Sequence, residues 1–258
     1  MKPFIPHCVL LLVALGCGPT TPEPEPGHEA ARDAIIGGTV NHGDPAVVAL
    51  VITQGNLNTS SFCTGTLIAP KTVLTAAHCI YAQGTQYDYA IAFGTESTQP
   101  QRLVPIIEQY AHPDYGQTSG ELRWDFGLLQ LAQAVTDVAP IPLNTAPMNS
   151  THEGLPIRPV GYGVSAGAAQ TGGGTKRQVS YNVRDVRDFV MESGAQGKQV
   201  CNGDSGGPGL MVFPGETSEK VAGVASYVTG SRIDPCFFGY HGRVDRAATW
   251  IQTTMAAW

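Results

Sequence analysis

Three short stretches of this sequence hold side chains that can move protons and attack a carbonyl carbon. Gly203-Asp204-Ser205-Gly206-Gly207-Pro208 sets a serine among glycines, where the backbone can bend sharply and leave adjacent N–H groups free to face a substrate oxygen. Thr75-Ala76-Ala77-His78-Cys79 follows an apolar strand, so an imidazole sits where strand gives way to loop, beside a cysteine that can hold it. Trp124-Asp125-Phe126-Gly127-Leu128-Leu129 puts a carboxylate at the head of an apolar strand, where its charge must find a donor or suffer a large desolvation cost. Each stretch alone has an ordinary reading: a turn, a structural histidine, a surface aspartate. Together they supply what acyl transfer to a neutral serine needs, with Ser205 as nucleophile, His78 as base and Asp125 as the partner that fixes the tautomer of that base.

Residues so far apart in sequence need a scaffold to bring them together, and the composition says which kind. Charged residues are only 14% of the 258, while glycine (31) and proline (19) are plentiful, which suits short strands joined by turns better than long solvated helices. Apolar or alternating runs are expected as strands at 46–53, 66–68, 89–93, 104–109, 127–131, 157–160, 176–183, 209–213 and 221–227. With no long stretch of helical period among them, the class is all-β, a barrel or sandwich architecture. Only Asp245 to Ala257 reads as helix, with Ala247, Trp250, Ile251 and Met255 spaced to pack on the core. The length gives room for one large domain or two small, intimately packed ones. The loop 165–175, with Gly172-Gly173-Gly174, is expected to be a mobile surface loop, since no P-loop lysine and serine accompany it.

Residues 1–16 read as a signal peptide: Lys2, an apolar core from Val9 to Leu15, then Ala14-Leu15-Gly16 in a small-x-small pattern, too short an apolar run for a permanent span. Cys17 follows at once, so Ala14-Leu15-Gly16-Cys17 also resembles the bacterial lipobox, in which that cysteine carries lipid. Residues 17–34 are proline-rich and acidic, a tether or propeptide with nothing apolar to bury. The chain is therefore expected to leave the cytoplasm, secreted or as a cell-envelope lipoprotein, touching membrane only through a lipid on Cys17. A net charge of −6 without any Lys/Arg run argues against nucleic acid or an anionic membrane surface as partner. Export favours disulfides among Cys63, Cys79, Cys201 and Cys236; four cysteines allow three connectivities, and the sequence-local choice closes two modest loops worth ~3 kcal/mol each. No cysteine spacing suggests zinc, and no metal or other cofactor is expected.

The motifs resemble, closely and in order, those of the chymotrypsin-like (trypsin-fold) serine proteases, from Ile35-Ile36-Gly37-Gly38 to the C-terminal helix. The α/β-hydrolase nucleophile elbow also fits Gly-x-Ser-x-Gly, but it runs serine, acid, histidine, whereas here the order is His78, Asp125, Ser205. The resemblance implies two perpendicular six-stranded antiparallel β-barrels, His78 and Asp125 from the first and Ser205 from the second. It implies an oxyanion hole from the backbone N–H groups of Gly203 and Ser205, and a supporting Ser226 that contacts the aspartate and begins the strand that pairs with substrate.

It also implies a zymogen cut between Ala34 and Ile35, whose new α-amino group pairs with Asp204; the activator is another protease or the enzyme itself. Gln199 stands where trypsin-like members carry the aspartate that binds Arg or Lys, Val228 where elastases have valine, and Gly239 at the pocket rear, where it leaves depth. The expectation is a monomeric endopeptidase that cuts protein or peptide substrates after small aliphatic P1 residues. The rivals are trypsin-like or mixed specificity, and a silent protease-fold binding protein. One disulfide common near the pocket has no counterpart, and 94–102, with Glu96 alone, lacks the ligands of the family's calcium loop.

Overall fold

Valine, isoleucine and leucine alternate with small residues through the first half of the described chain, and such segments pair readily into a barrel whose inward side chains fill it. The computed structural model describes residues 35–54, 58–81, 88–118, 121–231 and 234–258. The expected signal peptide 1–16 and tether or propeptide 17–34, with Cys17 and Ala34, lie outside the described residues. Strands β2 (Val47–Gln54), β3 (Asn58–Ala69), β4 (Thr72–Thr75), β5 (Asp88–Phe93), β6 (Arg102–Ala111) and β9 (Gly127–Leu131) form a closed antiparallel barrel in the order β2-β3-β4-β9-β6-β5. A small two-stranded hairpin, β7 (Gly116–Thr118) with β8 (Glu121–Arg123), stands just before β9.

The second barrel takes β10 (Pro156–Gly161), β12 (Tyr181–Val186), β13 (Val190–Ser193), β16 (Phe238–Arg243), β15 (Lys220–Thr229) and β14 (Pro208–Met211). It closes where β14 returns to β10 with Leu210 opposite Arg158 and Gly209 opposite Pro159. β11 (Arg177–Gln178) and β1 (Thr39–Val40) extend the sheet beyond β10. The last element is the helix α2 (Val244–Ala256), which buries Val244, Ala247, Ala248 and Ile251. The architecture is the expected one: two six-stranded antiparallel barrels and a C-terminal helix.

The two barrels share packing. Val160, Tyr162, Leu210, Val221 and Val224 belong to the same apolar cluster as the first barrel's Val47, Leu74 and Leu129. Polar groups fasten the junction as well. Arg158 forks onto Asp44 (2.7 and 3.1 Å) and onto Glu219 (2.8 and 2.5 Å), a bidentate geometry that suits guanidinium. Lys176, 2% exposed, donates to the carbonyls of Asp44 (2.6 Å) and Val47 (3.2 Å), and burial pushes its pKa down to about 8. A fixed junction is what holds residues from both barrels at one site.

Several elements differ from the sequence expectation. The run 176–183 splits into β11 and β12, and β13 and β16 were not anticipated because glycine and polar residues interrupt their apolar pattern. His78 lies on a short helix, α1 (Ala77–Tyr81), rather than a loop. The 165–175 loop, expected to be mobile, is tied down: Ser165 N and Ala166 N donate to Thr171 O, Gly174 N to Tyr162 O, and Ser97 N to Gly174 O. The disulfides take the sequence-local pairing. Cys63–Cys79 joins β3 to α1 beside His78, and Cys201–Cys236 joins the loop before Ser205 to the segment before β16.

Candidate active site

Asp125 sits at the tip of a three-residue turn, with Phe126 N donating to Trp124 O at 2.8 Å. Trp124 has φ +56°, a left-handed conformation that a bulky residue adopts only when its surroundings hold it there. They do: its ring stacks on His112 (centroids 4.5 Å apart, 12° between planes) and meets the edge of Phe189 at 5.1 Å. The carboxylate that results is 1% exposed and accepts three hydrogen bonds. Oδ1 takes the backbone N–H of His78 at 3.0 Å, and Oδ2 takes His78 Nδ1 at 2.7 Å and Ser226 Oγ at 2.5 Å. A carboxylate bonded to Nδ1 keeps a proton on that nitrogen and leaves Nε2 as the ring's acceptor.

Ser205 is held from both barrels. Thr64 N, in β3, donates to Ser205 O at 2.8 Å; Gly206 N donates to Ala225 O at 2.7 Å and Ala225 N to Gly207 O at 2.8 Å. Gly206 has φ +83°, and a Cβ there would collide with Thr64 O and Thr75 Oγ1, so the turn that exposes Ser205 requires glycine. Asp204 points the other way, into the protein. It is fully buried and accepts from Gly163 N and Cys201 N, each at 2.8 Å. A Cβ on Gly163 would lie 2.6 Å from Asp204 Oδ2, so glycine is needed there too. Burial pushes the Asp204 pKa up to about 7, against the lowering effect of the two N–H donors. Among the described residues Asp204 has no ion pair.

His78, Ser205 and Ser226 line one cavity of about 260 Å3, together with Val200, Tyr227 and Val228. Gln199 and Gly239, expected in the pocket, are not among its lining residues. Gln199 is 3% exposed and its side-chain N–H groups go to the carbonyls of Ala195 (3.2 Å) and Phe237, so the amide braces the backbone rather than waiting for a substrate. The depth that Gly239 was expected to leave is occupied: a Cβ on Gly239 would lie 2.5 Å from Val200 Cγ2. Val200 is therefore a pocket residue that sequence reasoning missed, and its place beside Cys201 was the only local signal. Ile35 is fully buried among the second barrel's apolar side chains, and Ile36 O accepts from Gln199 N at 3.1 Å.

Past the cavity, β15 pairs with β14 only as far as Val224, while its pairing with β16 continues to Thr229. Residues 226–228 thus keep one edge without a strand partner among the described residues, a place where an extended peptide can add. Cys63, His78 and Cys79 bring ligand-type atoms within 4.8 Å of one another, but the two sulfurs are bonded to each other, which removes the thiolates a metal ion would need.

The family model described as Trypsin matches residues 35–251. Among curated relatives, glucanase inhibitor protein 3 of Phytophthora infestans is 27% identical over 255 residues, covering 93% of this chain and 94% of that protein. Serine protease SP24D of Anopheles gambiae is 30% identical over 251 residues (89% and 83%), and chymotrypsin-like elastase family member 1 of Bos taurus is 26% identical over 248 residues (86% and 90%).

Proposed function

The chain belongs to the trypsin family, and from that premise we propose that it is a serine endopeptidase working through Ser205, His78 and Asp125. The observation that carries the reading is the bonding of Asp125 Oδ2 to both His78 Nδ1 and Ser226 Oγ, with His78 and Ser205 on the wall of one cavity. In this reading His78 Nε2 takes the Ser205 proton as Oγ bonds to the scissile carbonyl carbon, and the carbonyl π pair moves onto oxygen. The N–H groups of Gly203 and Ser205 receive that oxyanion. The imidazolium, held by Asp125, then gives its proton to the leaving nitrogen as the C–N bond breaks, and water repeats the sequence to free the acid. The substrate backbone extends along the open edge of residues 226–228.

The pocket supports a preference for small aliphatic P1 residues. Val200 and Val228 present methyl groups to a cavity with no carboxylate among its lining residues, so a guanidinium or ammonium would be buried without a counter-charge. Ala34 would then be acceptable at P1, and the activated enzyme could process its own precursor. The activation pair between an Ile35 ammonium and Asp204 is supported by what Asp204 now lacks: a buried carboxylate with only two N–H donors is short of compensation, and a cation would supply it. Sequencing the active enzyme should find Ile35 first. Export through residues 1–16, with or without lipid on Cys17, belongs to the same reading and is tested by the mass of the N-terminal peptide.

The test of function is the chain from Ile35 to Trp258 on peptides varied at P1, beside Ser205→Ala. Ser205-dependent cleavage after Ala or Val is expected; cleavage dominated by Arg/Lys or Phe/Tyr would keep the mechanism and overturn the pocket reading. The relative named a glucanase inhibitor supports a second reading, a trypsin-family chain that binds a protein without cutting it. A folded chain with a free Ile35 amine and no cleavage of any peptide would favour it.

A further inference from the structure

We propose that Thr64 is a positioning residue for the oxyanion-binding loop, holding the Gly203 N–H in its working direction through the Thr64 hydroxyl; this rests on the peptidase reading. Thr64 lies in β3, in the first barrel, and is fully buried. Its hydroxyl donates to Gly203 O at 2.9 Å and accepts from Tyr162 N at 3.0 Å. Its backbone N–H donates to Ser205 O at 2.8 Å, and its carbonyl accepts from Thr75 Oγ1 at 2.8 Å. One first-barrel residue thus grips the carbonyls of both residues whose N–H groups face the oxyanion.

The backbone bond to Ser205 would survive almost any substitution. The hydroxyl bond to Gly203 would not, and that is what the threonine side chain adds. Gly203 has φ +94° and no Cβ, so no side chain restrains its two torsions. The peptide before it is held on one side, by Val164 N donating to Asn202 O at 2.8 Å, which turns the Gly203 N–H away from Val164. The peptide after it is held at its carbonyl by Thr64 and at its N–H by Cys201 O, which accepts from Asp204 N at 3.0 Å. With all three bonds in place glycine has no freedom left; with the Thr64 bond gone, the peptide after Gly203 keeps only its Asp204 N–H bond and can tilt, and the Gly203 torsions then let the N–H turn off the substrate oxygen within the slack of the single Val164 bond. A preorganised donor costs no reorientation during reaction, and a mobile one does.

The test compares Thr64→Val, which keeps the shape and removes the hydroxyl, with Thr64→Ser, which keeps the hydroxyl. Thr64→Ala runs in parallel should the valine variant not fold. Each is titrated for active sites and assayed as the chain from Ile35, beside wild type and Ser205→Ala. Removing a whole oxyanion donor costs about 10²–10³ in kcat, so loosening one should cost about tenfold, with KM unchanged. A peptidyl trifluoromethyl ketone, whose adduct carries the oxyanion, should lose affinity by the same factor, while a peptide product that makes no adduct keeps its affinity. Thr64→Ser should restore both. The proposal is overturned by a hydroxyl-less variant within about twofold of wild type in kcat, by a KM rise at constant kcat, or by a serine variant as impaired as valine. Wild-type turnover that depends on Ser205 keeps the peptidase reading whichever way Thr64 behaves; its absence removes both.

Discussion

The hydroxyl of Ser226, in the second barrel, donates to Asp125 Oδ2, at the edge of the first, over 2.5 Å. The register of β15 against β16 shifts between Ala225 and Tyr227, so Ser226 is the extra residue of a bulge, and its side chain turns toward the junction for that reason. The bond fixes the oxygen that also orients His78, and it does so across the interface that the mechanism must keep rigid. Ser226→Ala should leave Asp125 with one donor fewer and His78 less firmly aimed. A loss of about 1.5–3 kcal/mol from a bond to a charged group corresponds to roughly a tenfold or greater fall in kcat. Steady-state kinetics on a good peptide substrate should show that fall with little change in KM; a change in KM alone would place Ser226 in substrate binding instead.

The pocket walls predict how specificity can be moved. Val228→Gly removes two methyl groups from the cavity wall, and Val200→Ala reopens space against Gly239. One methylene in such a pocket is worth about 1–3 kcal/mol of discrimination, so the double variant should gain roughly 10–200-fold for Leu or Phe relative to Ala at P1. Competing substrates in one reaction give the ratio directly. An unchanged ratio would mean that P1 does not enter this cavity.

A buried histidine away from the site predicts the acid limb of stability. His241, on β16, is fully buried; Nδ1 meets Ser193 Oγ at 3.1 Å and Nε2 has no partner among the described residues. Burial pushes its pKa from the ordinary 6.5 down to about 4. The unfolded chain therefore takes up the proton first, so the stability present above pH 6.5 is lost as pH falls from there to about 4, by at most roughly 3 kcal/mol. Asp204 titrates within the same range in the opposite sense, so the measurement is a difference. Urea midpoints of wild type and His241→Gln between pH 4 and 7 should converge as pH falls, because only wild type carries this slope. Parallel curves would show that His241 is not the titrating group.

How much of this was legible in the sequence depends on how local each cause is. The strand at 127–131 falls where it was expected, because an apolar run entering a barrel announces itself, and α2 begins within one residue of its expected start. Asp125, His78 and Ser205 are legible from their immediate neighbours. β16 is not, since Gly239, His241 and Gly242 break the alternation that a strand normally shows, the two glycines making room for Val200 and Phe126 from distant loops. The sequence position of Gln199 suggests a pocket residue, but whether an amide faces a cavity or a backbone carbonyl depends on Phe237, 38 residues away. Thr64 gave no signal at all, as its partner Gly203 stands 139 residues along the chain.

Acylation of Ser205 during turnover is visible in pre-steady-state kinetics with an activated ester. The chain from Ile35 should release one equivalent of leaving group in a burst, with the acyl mass on the peptide carrying Ser205. Ser205→Ala should show neither, and Asp125→Asn should form the same adduct about 10⁴-fold more slowly. Turnover without a burst or adduct in wild type, or an adduct that persists in Ser205→Ala, would rule out an acyl-Ser205 intermediate.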